Sequence, residues 1–154
     1  MQRFWEIGGK LLLERPVRAK MLTELAQELE ASGRKIESHF AKVGDSEWNR
    51  RVLSHIIGIE RWGQRRLRVM QGESLIKDEY NGYRPGRDAS WAQLQADFQT
   101  TRGETIVLAK TLSQANVSDA VQVLHNQYGE LTARGWLHYL DIHAFGESKK
   151  MRKG

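Results

Sequence analysis

DSEWNRRVLSHIIGIERWGQRRLRVMQG, residues 45–72, decides the fold class. Trp48, Val52, His55, Ile59, Trp62, Arg66 and Val69 recur in alternating steps of four and three, the period of one face of an α-helix. Asp45 or Ser46 can cap the start of that helix by accepting from its free N–H groups, and Gly72 can stop it. His55 therefore falls on a seam where a packed core ordinarily places leucine or isoleucine.

The same period appears on both sides. Upstream, Leu22, Leu25, Leu29, Ile36, Phe40 and Val43 mark a helix running from Pro16, which suits a first helical turn, to Gly44. Its stripe is interrupted at Ser32 and Gly33, which leaves space or allows a bend. The connection to the next helix is short, so the two are expected to pack as an antiparallel hairpin. Downstream, Ser90 with Gln93 fits a capping box ahead of Trp91, Leu94, Phe98, Thr101, Thr105, Leu108 and Leu112. Thr132 can cap a fourth helix with the seam Ala133, Trp136, Leu140, His143, Glu147 and Met151.

The expected fold is all-α, an antiparallel four-helix bundle with long connections between its second and third and its third and fourth helices. The segment 72–89, with Tyr80, Gly82, Tyr83, Pro85 and Gly86, is expected to cross the bundle end. The segment 113–131, with Val121, Val123 and Leu124, is expected to form a strand or an ordered loop. Residues 1–15 read as an N-terminal extension packing on a domain that spans 16–154. Each helix carries small or polar residues near its middle, namely Ser32, His55, Thr101 with Thr105, and His143 with Glu147. If those levels align, they enclose a polar chamber.

Composition narrows the chemistry. A chain of 154 residues with 40% hydrophobic content suits one domain with one core. The absence of cysteine excludes disulfides, thiolate metal sites and a cysteine nucleophile, so any metal must take nitrogen and oxygen ligands. No apolar run approaches the roughly 20 residues of a membrane span, and Leu11–Leu13 is too short for a signal-peptide core, so a cytoplasmic protein is expected. Lysine and arginine exceed the acids by 24 to 19. The excess gathers at Arg50, Arg51, Arg61, Arg65, Arg66 and Arg68 and in the tail, but Glu47, Glu60 and Glu147 interrupt it. No helix-turn-helix or aromatic single-strand platform accompanies it, so no nucleic-acid partner is expected.

His143 and Glu147, four residues apart, project from one helix in the same direction. With His55 they offer two imidazoles and a carboxylate, a set suited to zinc, nickel or iron that leaves coordination positions open for water or substrate. The competing reading is structural: seam histidines hydrogen-bonded in the core, and Glu147 paired with Arg66. His138 lies about 140° around the helix from His143 and is set aside. His39 and His125 read as ordinary polar residues; Glu60, flanking the seam of the second helix, reads as a surface acid, with an acceptor that orients a ligand histidine as the alternative. Tyr80, Tyr83, Trp48, Trp62, Trp91 and Trp136 can wall a substrate pocket or simply fill the core. No zincin motif, phosphate loop, nucleophile elbow or dinucleotide fingerprint is present.

The stretch EWNRRVLSHIIGIERWGQRRLRVMQGE resembles the Trp-led, His-bearing second helix of the DinB-like superfamily, related to YfiT and the bacillithiol-transferase proteins. Tyr128-Gly129-Glu130-Leu131-Thr132 followed by LDIHAFGESKKM is similar to that family's glycine-threonine turn and final helix. The resemblance covers residues 20–152. It implies a four-helix bundle, often dimeric, whose divalent metal is held by three histidines, one on the second helix and two on the fourth. His55 and His143 match two of them, and Glu147 stands where the third is expected. It further implies a hydrolase or thiol-dependent S-transferase acting on a small molecule, with a low-molecular-weight thiol as partner. A homodimer is implied as well. The alternative from another class is a non-catalytic dimeric bundle that binds a small ligand without metal.

Overall fold

The computed structural model describes residues 1–153. The fold is mostly helical: α1 Gln2–Gly9, α2 Leu22–Val43, α3 Glu47–Val69, α4 Trp91–Gln114 and α5 Ala133–Ser148, with short strands β1 Val123–His125 and β2 Gly129–Leu131. Among the described residues no helix is long and apolar enough to cross a membrane.

The helix boundaries follow from local chemistry. Ser46 accepts from Asn49 N at 3.1 Å at the start of α3, and Thr132 from Gly135 N at 3.1 Å at the start of α5. Ser90 and Gln93 form the reciprocal capping box of α4. Gly44 ends α2 with φ 75°, and Gly72, at φ 102°, turns the chain beyond α3, both in the region that favours glycine. Pro16 does not open α2. It sits in a 3-10 turn over Arg15–Val17, and α2 begins at Leu22 after a break.

Between α1 and that turn, Lys10–Glu14 forms a π-helical stretch. Leu13 and Val17 enter the main core, while Phe4, Ile7, Leu11 and Leu12 remain exposed. The Glu14 carboxylate accepts from Thr132 N at 2.8 Å and Thr132 Oγ1 at 2.7 Å, so the N-terminal segment is tied to the start of α5.

The arrangement of the four long helices departs from the expected hairpin. α2 packs on α4 and α5, and α3 packs on the same two helices, so α2 and α3 occupy opposite corners. Two hydrophobic clusters give the directions. One joins Leu22–Leu29 of α2, Ile59–Leu67 of α3, Leu108–Leu112 of α4 and Ala133–Leu140 of α5. The other joins Ile36–Val43, Val52–Ile57, Leu94 with Phe98, and Ala144 with Met151. It follows that α3 and α4 run parallel to each other, as do α2 and α5. The remaining neighbour pairs are antiparallel.

Parallel α3 and α4 explain the first long connection. It cannot merely cross the bundle end, because α4, with 24 residues, is about 36 Å long and the chain must travel back along it. The return path lies on α3, where Tyr80–Tyr83 forms a 3-10 turn. Gly58 makes the close approach possible: a Cβ there would meet Arg84 Cγ at 2.6 Å and the Tyr80 carbonyl oxygen at 3.3 Å. The second connection starts and finishes at the same end. It folds into an antiparallel hairpin with Val123 opposite Leu131 and His125 opposite Gly129.

The polar residues do not form one chamber. Glu60, expected at the surface, is 1% exposed and receives Nε and Nη2 of Arg102 at 2.7 and 2.9 Å. Thr105 Oγ1 adds a bond to Glu60 at 2.9 Å, and Gln64 donates to Thr101 O and Thr105 Oγ1. Arg102 also donates to Leu29 O at 3.0 Å and approaches Asp141 at 3.8 Å. The interruption at Gly33 is space for this arginine, whose Cγ would lie 3.1 Å from a Cβ at that position. Burial works against the Arg102 charge. The field and hydrogen bonds of Glu60 more than restore it, leaving the guanidinium pKa above its ordinary value.

Breaking one partner of such a pair strands the other in the core. Glu60→Gln is therefore expected to cost about 3–5 kcal/mol, whereas Glu60→Leu combined with Arg102→Met recovers most of that loss. Urea midpoints of the three proteins check this, and equal destabilisation by the single and double variants would contradict it.

Candidate metal centre

α3 and α5 approach closely because Gly63 faces Leu140, where a Cβ at 63 would lie 2.5 Å from a leucine methyl. Running antiparallel at that spacing, they bring His55 opposite His143. The two Nε2 atoms are 3.2 Å apart and the ring centroids 5.0 Å. Glu147, one turn beyond His143, completes the group, with one ligand atom from each residue lying within 4.8 Å of the others. All three are partly buried rather than enclosed.

Tyr80, carried by the returning connection, sets its ring edge against His55 at 5.0 Å. Tyr139 lies beside His143 at 5.7 Å, and burial pushes its phenol well above the ordinary range. Of the remaining aromatics, Trp62 and Trp136 are core residues packed on each other, and Trp91 packs on Phe40. Trp48 donates to Lys150 O at 2.8 Å, and Tyr83 OH bonds to Asp78.

Burial is the main cause lowering the pKa of both site histidines, with the Glu147 charge opposing it. His143 is brought down to about 4, with His55 contributing. Both imidazoles are neutral at pH 7 and carry the lone pair that a metal ion requires. The 3.2 Å separation also fits: two nitrogens about 2.0–2.1 Å from a tetrahedral zinc lie about 3.3 Å apart. One feature is missing. His143 Nδ1 is buried without a hydrogen-bond partner among the described residues, so the acceptor that usually orients a metal-bound histidine is absent.

Glu147 is not paired with Arg66. It accepts from Lys150 Nζ at 2.8 Å, and Arg66 instead bonds to Leu124 O, Asp78 O and Asn126 Oδ1, joining the returning connection to the β-hairpin. His138 faces away from the group, where the charges of Asp141, Lys20 and Glu28 act on it. His125, read from sequence as an ordinary polar residue, is 3% exposed in a cage of Trp62, Tyr128, Trp136 and Tyr139 with centroid distances of 4.5–5.1 Å. Its Nδ1 accepts from Gln127 N and Tyr128 N, which shapes the hairpin turn. The only sequence signal for this burial is the strand alternation of Val123 and His125, too short to read alone.

Compared with family models, curated proteins and solved structures, the chain matches none.

Burial, with Arg66 and His143 adding to it, lowers the His125 pKa to about 3, against about 6.5 for an unfolded histidine. Between those values the unfolded chain binds a proton that the folded chain refuses. Stability is therefore expected to be highest above pH 6.5 and to fall as pH drops through that window, by up to about 1.4 kcal/mol per pH unit for this group. His125→Asn keeps an acceptor for the turn and removes the titration. Its stability at pH 7 is expected to drop, but its loss between pH 6.5 and 4 should be shallower by one proton, as read from urea midpoints across the range.

Proposed function

We propose that the chain is a divalent-metal-dependent enzyme of the DinB-like kind, a four-helix bundle that binds zinc, nickel or iron through His55, His143 and Glu147. The observation that carries this reading is the convergence of two neutral imidazoles and a carboxylate, from two helices, at one partly open position. An ion held there would supply Lewis acidity, bringing a coordinated water or thiol toward ionisation near neutral pH. That chemistry suits a hydrolase or a thiol-dependent S-transferase. His55 and His143 supply the neutral donors, and Tyr80 and Tyr139 restrict water around the rings. Glu147 supplies the negative charge and must exchange its bond to Lys150 for the ion.

A second reading has specific support. His55 Nε2 and His143 Nε2 are also within hydrogen-bond distance, and Lys150 already satisfies Glu147. Those contacts suit a non-catalytic dimeric bundle that binds a small ligand without metal.

Elemental analysis of protein purified without added metal separates the two. About one divalent ion per chain is expected, with affinity reduced in His55→Ala, His143→Ala and Glu147→Ala by more than the roughly 10–100-fold that loss of an outer hydrogen-bonding partner costs. Glu147→His, which restores a third imidazole, is expected to retain metal. Absence of stoichiometric metal together with unchanged zinc uptake in His143→Ala would leave only the second reading.

A further inference from the structure

Between the start of α3 and the returning connection lies a cleft of about 960 Å³ whose walls include Arg50, Arg51, Arg84 and Arg87 with Ser54, Asn81 and a single carboxylate, Glu47. Three of its lining positions neighbour the metal-site group along the chain. Ser54 precedes His55 in α3, Arg51 lies one turn before His55 on the same helical face, and Asn81 follows Tyr80, the residue packed on the His55 ring. Arg84 lies over Gly58, one turn beyond Ser54.

The arginines differ in how their charge is met. Arg50 is held by Asp45 through two bonds of 2.6 and 2.9 Å. Arg51 has only a 3.6 Å contact with Glu47 between exposed side chains, which offsets little of its charge. Arg84 is half-buried and donates to two neutral acceptors, Ser54 Oγ at 3.2 Å and Arg51 O at 3.3 Å. Neither Arg84 nor Arg87 has a carboxylate partner among the described residues. A guanidinium drawn partly out of water without an acid is costly, and its remaining N–H groups form a fork suited to a planar or tetrahedral oxyanion.

We propose that this cleft is the anion-recognition subsite of the same centre, and that the substrate is a small molecule bearing a phosphate or carboxylate held by Arg84 with Arg51 and Arg87. The proposal rests on the metal-site reading for what happens at the other end of that molecule. The arginines select and orient it: the anionic end docks against the connection between α3 and α4, and the opposite end extends past Tyr80 toward His55. A neutral molecule of the same size would leave the arginine fork unpaired and bind less well.

Calorimetric titration of metal-free protein with pyrophosphate, and separately with succinate, at low ionic strength tests the cleft without the ion. Saturable binding of at least one of the two is expected, weakened about tenfold in Arg84→Gln and in Arg87→Gln, as for loss of one charge-assisted partner. Arg51→Gln and Arg87→Gln alter exposed side chains and carry the test if Arg84→Gln does not fold. Zinc titrations of these variants are expected to match the unaltered protein. Zinc uptake without anion binding, or anion binding indifferent to every arginine variant, overturns the subsite. Arginine-dependent anion binding by a protein that takes up no zinc upholds the cleft and removes the metal reading instead.

Discussion

The buried ion pair between Glu60 and Arg102 is the contact on which the arrangement of this fold depends. One guanidinium touches all four long helices: its own α4, Glu60 on α3, the Leu29 carbonyl on α2 and Asp141 on α5. Apolar contacts alone tolerate sliding, because one leucine replaces another along a groove at little cost. A charge 3% exposed does not, since a shift of one turn would separate it from the carboxylate that compensates its burial. The pair lies between the two hydrophobic clusters and sets the axial register of the helices that contribute to both.

That register is inherited by the candidate site. Glu60 lies five residues beyond His55 on α3, and Asp141 two residues before His143 on α5, so a layer that fixes Glu60 and Asp141 relative to Arg102 also fixes the level at which the imidazoles meet. Gly63 then sets the lateral distance by admitting Leu140, and Gly58 sets the third wall by admitting Tyr80 and Arg84. Two glycines five residues apart on α3, facing different neighbours, therefore serve different parts of the site. The Gly63 contact brings the histidines together. The Gly58 contact brings the returning connection, with its aromatic ring and its arginine, alongside them.

Much of this was legible in the sequence, and what escaped has identifiable causes. The seams of α2, α4 and α5 and the caps at Ser46, Ser90 and Thr132 are local signals, and the structure reproduces them. The meeting of His55, His143 and Glu147 was also readable, because seam membership on two helices implies a common interior. Glu60 was misplaced because α3 is buried around most of its circumference, touching α4, α5 and the returning connection, so a residue off the main seam is still inside. Its partner Arg102 sits beside Thr101 on a helix whose periodicity is weakened by threonines, and nothing in sequence spacing pairs residues 42 positions apart. The pairing of α2 with α3 was misjudged for a related reason: the short link between them fixes their opposite sense, which the structure shows, but not whether they are neighbours. The 3-10 turn on Gly58 and the cage around His125 are tertiary contacts with almost no local signature.

The carboxylate at position 147 acquires a different meaning once its surroundings are considered. Three neutral imidazoles around a dication leave a net charge of +2, whereas two imidazoles and a carboxylate leave +1. Near this site stand Arg84 and Lys150, cationic groups that oppose the entry of another cation and grow more effective as water is excluded. Glu147 reduces that opposition, and its bond to Lys150 balances its charge when no ion is present. The same cations that make a metal harder to hold make an anion easier to attract, and the two proposed tasks fall on different elements. The acid lies on α5 beside the imidazoles, and the arginines without carboxylate partners lie along the returning connection. A three-histidine site would hold its ion against a larger uncompensated charge beside these cations than a histidine–histidine–glutamate site does, and the proposed anionic substrate would give the wall its use.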